Sequence, residues 1–172
     1  MNTHEKDMVD TAAMADHFGP LSLIMLNDTE LRHAWRVNFL ANFFTGPAYR
    51  QIDEQFALTR PEFVILYCLK NKPGLVARDV CLVTGLPKNS ISRAVSELLG
   101  KGLIERTRGQ KDKRAKPLSL SEKGLSVLTE ILPIFETRQD SMRAVLTGKE
   151  QAEFDRLIQK IVYAMPDWVT PE

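Results

Sequence analysis

The sequence predicts a mainly α-helical chain carrying one small two-stranded hairpin. Apolar residues recur at helical spacing in segment after segment. Three boxes that begin with Asn or Thr and end with Glu three positions later, Asn27–Glu30, Thr59–Glu62 and Thr147–Glu150, stand where helices would open. Leu103 to Arg106 and Lys116 to Leu120, where Leu118 and Leu120 alternate, read as two short strands.

Composition fits that reading. The chain has 172 residues, 44% hydrophobic and 26% charged, enough for one domain with helical extensions and a core that needs no staples. Two cysteines exclude a disulfide-dense secreted scaffold. No apolar run approaches the roughly 18 residues of a membrane span. Residues 1–18, with Glu5, Asp7, Asp10 and Asp16, lack the basic start and apolar middle of a secretory signal. The expectation is a soluble cytoplasmic protein with no membrane contact.

Along the chain, residues 1–26 show no clean period and read as a loosely held arm. Met8 to His17 is a candidate short helix, stopped by Gly19-Pro20. Asn27 is expected to cap a long helix carrying Leu31, Trp35, Val37, Phe39, Leu40, Phe43 and Phe44, which Gly46-Pro47 should interrupt or kink before a second stretch towards Phe56. Thr59 opens a helix with Phe63, Val64, Leu66, Tyr67 and Leu69; Pro61 lies in its first turn, where a missing N–H costs little. A helix from about Val76 to Thr84 ends at Gly85, as a left-handed C-terminal glycine would end it. The next helix places Ile91, Val95, Leu98 and Leu99 on one stripe and stops at Gly100 or Gly102. Leu103 to Arg106 and Lys116 to Leu120 read as paired strands, the second held to an edge by Pro117. Ser121 is a cap for a helix with Leu125, Leu128, Ile131, Leu132 and Phe135, bent at Pro133. The last helix carries Phe154, Leu157, Ile158, Ile161 and Val162 and ends at Pro166.

Helix, glycine-ended turn, helix and hairpin is the order of a winged helix-turn-helix lobe. The fold expected is therefore mainly α: a winged helix-turn-helix DNA-binding lobe at 58–120 plus dimerisation helices at 27–57 and 121–172, behind the arm at 1–26. The terminal helices carry more apolar surface than so small a lobe can cover, which favours a homodimer.

Charge sharpens this. The formal net charge is only +1, yet residues 86–116 hold nine basic and three acidic residues, a net of +6. The start of the second helix, Lys88, Asn89, Ser90, Ser92 and Arg93, is the end expected at base edges. An Arg fork meets guanine, Asn meets adenine, Ser serves bases or phosphates, and Lys suits a phosphate. The plainer readings are a solvated face and, for Asn89-Ser90, a helix cap. The hairpin adds Arg106, Arg108, Lys111, Lys113 and Arg114, with Asp112 able to brace an arginine. A narrow minor groove attracts such a loop.

Residues Leu58 to Gly124, about 67 positions, resemble the MarR family of winged-helix regulators. The resemblance rests on Leu58–Glu62, Lys72–Leu75, Lys88–Arg93, Leu98–Ile104, Asp112–Arg114 and Leu118–Gly124 in combination. It implies a homodimer on a double-stranded, pseudo-palindromic operator, usually as a repressor released by a small ligand or an oxidant. It also implies that Arg114 enters the minor groove and Asp112 holds the wing. The arm, Gly46-Pro47 and Ser121 in place of a common threonine depart from the pattern.

Nothing points to an enzyme. The three histidines are N-terminal, and no HExxH, GxSxG or phosphate-binding loop occurs. Cys68 and Cys81 lack metal-ligand spacing, so neither metal nor cofactor is expected. Both read as small core residues, with a redox-sensing thiol as the alternative. The resemblance implies effectors, many of them aromatic or phenolic acids, between the dimer helices and the DNA-binding lobe. His33, Trp35, Arg36, Phe39 and Tyr67 would suit one. The plainer reading is core aromatics, with His33 and Arg36 paired to acids such as Glu30. A winged helix serving only as a protein-interaction module is the rival from another class.

Overall fold

The computed structural model describes residues 11–107 and 117–169. The described chain forms α1 (Thr11–Phe18), α2 (Pro20–Asn27), α3 (Arg32–Phe56), α4 (Arg60–Asn71), α5 (Ala77–Thr84) and α6 (Lys88–Gly100). Strands β1 (Ile104–Arg106) and β2 (Leu118–Leu120) follow, then α7 (Glu122–Arg143), α8 (Gly148–Tyr163) and the single turn α9 (Met165–Trp168). The chain divides into two compact units, 1–51 and 52–172, so the structural division falls inside α3.

In the first unit the described part of the expected arm, residues 11–26, is helical on both sides of Gly19. Gly19, at φ 80°, turns the chain between α1 and α2 in a conformation that favours glycine, and Pro20 starts α2. The residues behind Gly19-Pro20 thus form a helix that the irregular apolar spacing of Leu21, Leu23, Ile24 and Leu26 did not announce. The ring of Phe18 meets Phe39 and Phe43 edge-on, at centroid distances of 5.0 and 4.7 Å. This aromatic contact ties α1 to α3 and is worth about 0.5–1.5 kcal/mol per pair beyond area burial.

Two local expectations fail here. Asn27 does not cap α3; it is the last residue of α2, and α3 begins at Arg32. Its side chain instead accepts from the Arg36 guanidinium at 2.9 Å, while Arg36 Nε donates to the Leu26 carbonyl at 2.8 Å. Of the interruption or kink expected at Gly46-Pro47, the interruption does not occur: the helix runs through Pro47 to Phe56. Pro47 removes one helical donor, and Ala48 and Ile52 just beyond it are fully buried.

The second unit holds most of the core: Ile52, Leu58, Ile65, Leu66, Leu69, Val80, Ile91, Leu98, Leu118, Leu128 and Ile131 are fully or almost fully buried. The box at Thr59 forms as expected, with the Glu62 carboxylate accepting from both the amide and the hydroxyl of Thr59 at 2.7 Å. The hairpin is antiparallel, with Ile104 opposite Leu120 and Arg106 opposite Leu118. Leu118 also bridges Leu75: its amide donates to the Leu75 carbonyl at 2.9 Å, and Gly74 N donates to the Leu118 carbonyl at 2.8 Å. β2 is therefore flanked on both sides at this residue, a pairing hidden in the sequence because Leu75 sits in a turn.

Ser121 caps α7, accepting from Gly124 N at 3.0 Å. Gly124 is obligatory, since a Cβ there would stand 1.9 Å from the Leu103 carbonyl oxygen. The α7 helix continues through Pro133 to Arg143, and the stacked rings of Phe63 and Phe135, 4.9 Å apart, join it to α4. The Thr147 box opens α8, which has no buried residue; its Leu157, Ile158, Ile161 and Val162 are 44–55% exposed. The α8 helix ends at Tyr163, just ahead of Pro166, which stands in the first turn of α9.

Candidate nucleic-acid interface

The site is built on a reversal of the chain between α5 and α6. Gly85, at φ 65°, closes α5 with its amide on the Cys81 carbonyl at 2.9 Å. Thr84 then steadies the turn: its hydroxyl donates to the Val80 carbonyl at 2.6 Å and accepts from Leu86 N at 3.2 Å. The α6 stripe of Ile91, Ala94, Val95 and Leu98 is buried. Helical geometry then turns Lys88, Asn89, Ser92 and Arg93 outward, and all four are exposed, with Ser90 half-buried.

The helix is capped by Pro87, which offers no side-chain bond, so Asn89 and Ser90 stand inside the first turn rather than acting as caps. Among the described residues, no carboxylate holds Lys88 or Arg93. An uncommitted cation on an exposed helix face is free to meet a polyanion.

Two clefts flank this face. One, of about 290 Å³, is lined by Thr59, Pro61, Glu62, Ser90, Arg93, Ala94 and Glu97. The other, of about 430 Å³, lies between the two helices and is lined by Ala77, Arg78, Cys81, Lys88 and Ser92. Arg78 lay outside the basic block read from the sequence. Its only signal there is its place in the first turn of the helix before the glycine turn.

Lys101 belongs to the same block but not to its free charge. Its ammonium lies 2.5 Å from Glu62 Oε1 and 2.8 Å from the Ala57 carbonyl. Glu62 is 2% exposed. Burial pushes its carboxyl up, but the bonds from Lys101 and Thr59 together outweigh burial and hold it below the usual carboxylate range. The pair joins the end of α6 to the start of α4. Ala57 itself has φ 52°, a left-handed conformation unusual for a residue with a Cβ. Nearby, Lys123 Nζ donates to the Lys101 carbonyl at 2.9 Å.

Arg106 is exposed at the end of β1. Arg108, Lys111, Asp112, Lys113 and Arg114 lie outside the described residues. Of the candidate effector residues, His33, Trp35, Arg36 and Phe39 are on α3 in the first unit, and Tyr67 is on α4 in the second. Arg36 is engaged by Leu26 and Asn27 rather than by Glu30. Phe39 packs against Phe18 and Phe43, and the exposed Tyr67 stacks on Phe63 at 6.0 Å. Cys68 and Cys81 are free and only half-buried rather than core residues, and burial pushes the Cys68 thiol up. Among the described residues, no cluster of His, Cys, Asp or Glu is placed to hold a metal, and no helix is long and apolar enough to cross a membrane.

A buried-stripe helix behind a glycine turn, followed by a paired hairpin, defines a winged helix-turn-helix DNA-binding protein. A profile of the MarR family matches residues 58–115, the lobe just described. The chain is 32% identical over 138 residues to the HTH-type transcriptional regulator PetP of Rhodobacter capsulatus, spanning 80% of this chain and 78% of the relative. Among solved structures it resembles the PcaV transcriptional regulator of Streptomyces coelicolor in complex with its natural ligand. That match has 27% identity and a TM-score of 0.61, over 81% of this chain and 95% of the other. A MarR-family regulator from Silicibacter pomeroyi shares the fold at 21% identity and a TM-score of 0.68, over 83% and 97%. The chain belongs to the MarR family of transcriptional regulators.

Proposed function

We propose that the protein binds a pseudo-palindromic operator as a homodimer, represses transcription there, and is released by a small aromatic acid or a derivative of one. The exposed polar face of α6, whose Lys88 and Arg93 are held by no carboxylate among the described residues, carries the reading. On it, Arg93 reads guanine, Asn89 reads adenine, Ser90 and Ser92 serve bases or phosphate, and Lys88 holds a phosphate. Arg106 and the hairpin residues Arg108, Lys111, Lys113 and Arg114 extend the contact to the flanking groove, with Asp112 bracing the loop.

The dimer is supported by apolar surface left uncovered in both terminal regions. Trp35, Val37 and Leu40 on α3 and Leu157, Ile158, Ile161 and Val162 on α8 are exposed large hydrophobic groups. A second copy would cover them and set two recognition helices about 34–36 Å apart. Domain limits at 1–26, 27–57, 58–120 and 121–172 describe this division of labour.

Release follows if the effector binds better to a dimer whose recognition helices are mis-spaced. His33, Trp35 and Phe39 on α3, and separately Tyr67 on α4, are the candidate effector contacts within their own units. Arg36 would join them only by leaving Leu26 and Asn27. The ligand held by the PcaV relative supports a ligand-responsive reading.

Selection of bound DNA from a random duplex library at physiological salt tests the reading. Recovery of an inverted repeat with half-sites about ten base pairs apart is expected. Weak, sequence-blind binding would leave a protein-interaction module instead.

A further inference from the structure

We propose that the cleft between α5 and α6 seats one backbone phosphate of DNA, with Arg78 and Lys88 meeting its charge and Ser92 donating a hydrogen bond. The inference rests on the DNA-binding reading and adds a residue from outside the basic block. Four observations carry it. The cleft is about 430 Å³, and its lining holds two cations, a hydroxyl and no carboxylate. Lys88 and Ser92 stand one helical turn apart on α6, so both face the same groove that Arg78 enters from α5. Among the described residues, neither Arg78 nor Lys88 is held by an acid. Asp79, the acid next to Arg78 in the chain, is turned back onto Val76 N at 3.0 Å and is absent from the lining.

The cleft on the other flank of α6 has a different chemistry. Glu62 and Glu97 line it beside Arg93, so it sets carboxylates next to its cation where the first cleft has none. A phosphodiester seated between α5 and α6 would fix the register of the recognition helix and carry no sequence information.

Affinity of the full chain is measured against salt on two probes, a duplex recovered from the random library and a random-sequence duplex of equal length. Arg78→Ala should weaken both equally and make the log–log salt slope shallower by about one. Arg78→Lys should retain the slope. Lys101→Met should also retain it, because that ammonium is held by Glu62 and Ala57. A steep wild-type slope unchanged in Arg78→Ala overturns the phosphate seat and leaves DNA binding standing. Loss confined to the selected duplex overturns it too, by making Arg78 a base reader. A flat wild-type slope removes the DNA reading itself and the seat with it.

Discussion

The helices α6 and α8 carry the same apolar signature and use it differently. Ile91, Ala94, Val95 and Leu98 of α6 are buried by α4, α5 and the hairpin. Phe154, Leu157, Ile158, Ile161 and Val162 of α8 keep the same spacing, yet none is buried. An apolar stripe states that a helix needs a contact. It does not state whether the contact comes from its own chain. The second unit covers the α6 stripe and draws Leu128 and Ile131 of α7 into the same core, whereas α8 presents surface that a second copy would cover.

The hardest test of that contrast places a charge on α8. Ile161→Glu should convert a dimer to a monomer, because an unpaired charge in a covered apolar seam costs about 3–5 kcal/mol. Sedimentation velocity reads the result, and a variant that stays dimeric would show that the α8 stripe covers no partner.

Within the lobe, Gly124→Ala should lower stability by about 1–3 kcal/mol or more, since the new methyl meets the Leu103 carbonyl. For a chain of this size that is a melting point lower by about 2–4 °C per kcal/mol, read by calorimetry. An unchanged transition would mean that α7 enters differently. Arg93→Ala should cost about 1–3 kcal/mol on the selected duplex and little on random DNA. Equal losses in a competition assay would remove Arg93 from base reading.

Lys101→Met should cost about 1–2 kcal/mol near neutrality, a value discounted for the partial exposure of the lysine. The folded state holds the Glu62 carboxyl below its ordinary value. Its stabilisation is therefore complete above the unfolded value of about 4.3 and is lost as pH falls through the lower folded value. Urea unfolding between pH 3 and 7 should show a steeper acid loss in the wild type than in Lys101→Met. Parallel curves would mean that the pair is not formed in solution.

The smallest effect is expected at the cysteines. Cys68→Ser and Cys81→Ser should keep operator affinity, and peroxide should not release DNA. Burial disfavours the Cys68 thiolate that oxidation needs. Peroxide release abolished by either substitution would establish a redox switch.

Short-range physics made much of the molecule legible in the sequence. The boxes at Thr59 and Thr147, the cap at Ser121, the left-handed Gly85 and the α6 stripe all depend on residues within a turn or two of each other. The same locality explains the failures. Asn27 looks like a cap, but α2 had already claimed it, and Pro47 looks like a break where the helix runs on through buried Ala48 and Ile52. The sequence by itself determined α4 to α8, the turn between α5 and α6, the paired strands and the outward face of Lys88, Asn89, Ser92 and Arg93. Only the tertiary structure decided that Lys101 is spent on Glu62, that Arg78 joins Lys88, and that Gly124 must lack a side chain. Those outcomes depend on groups at least a dozen residues apart, except for the ten between Arg78 and Lys88, and no local period encodes which distant neighbours packing will bring together.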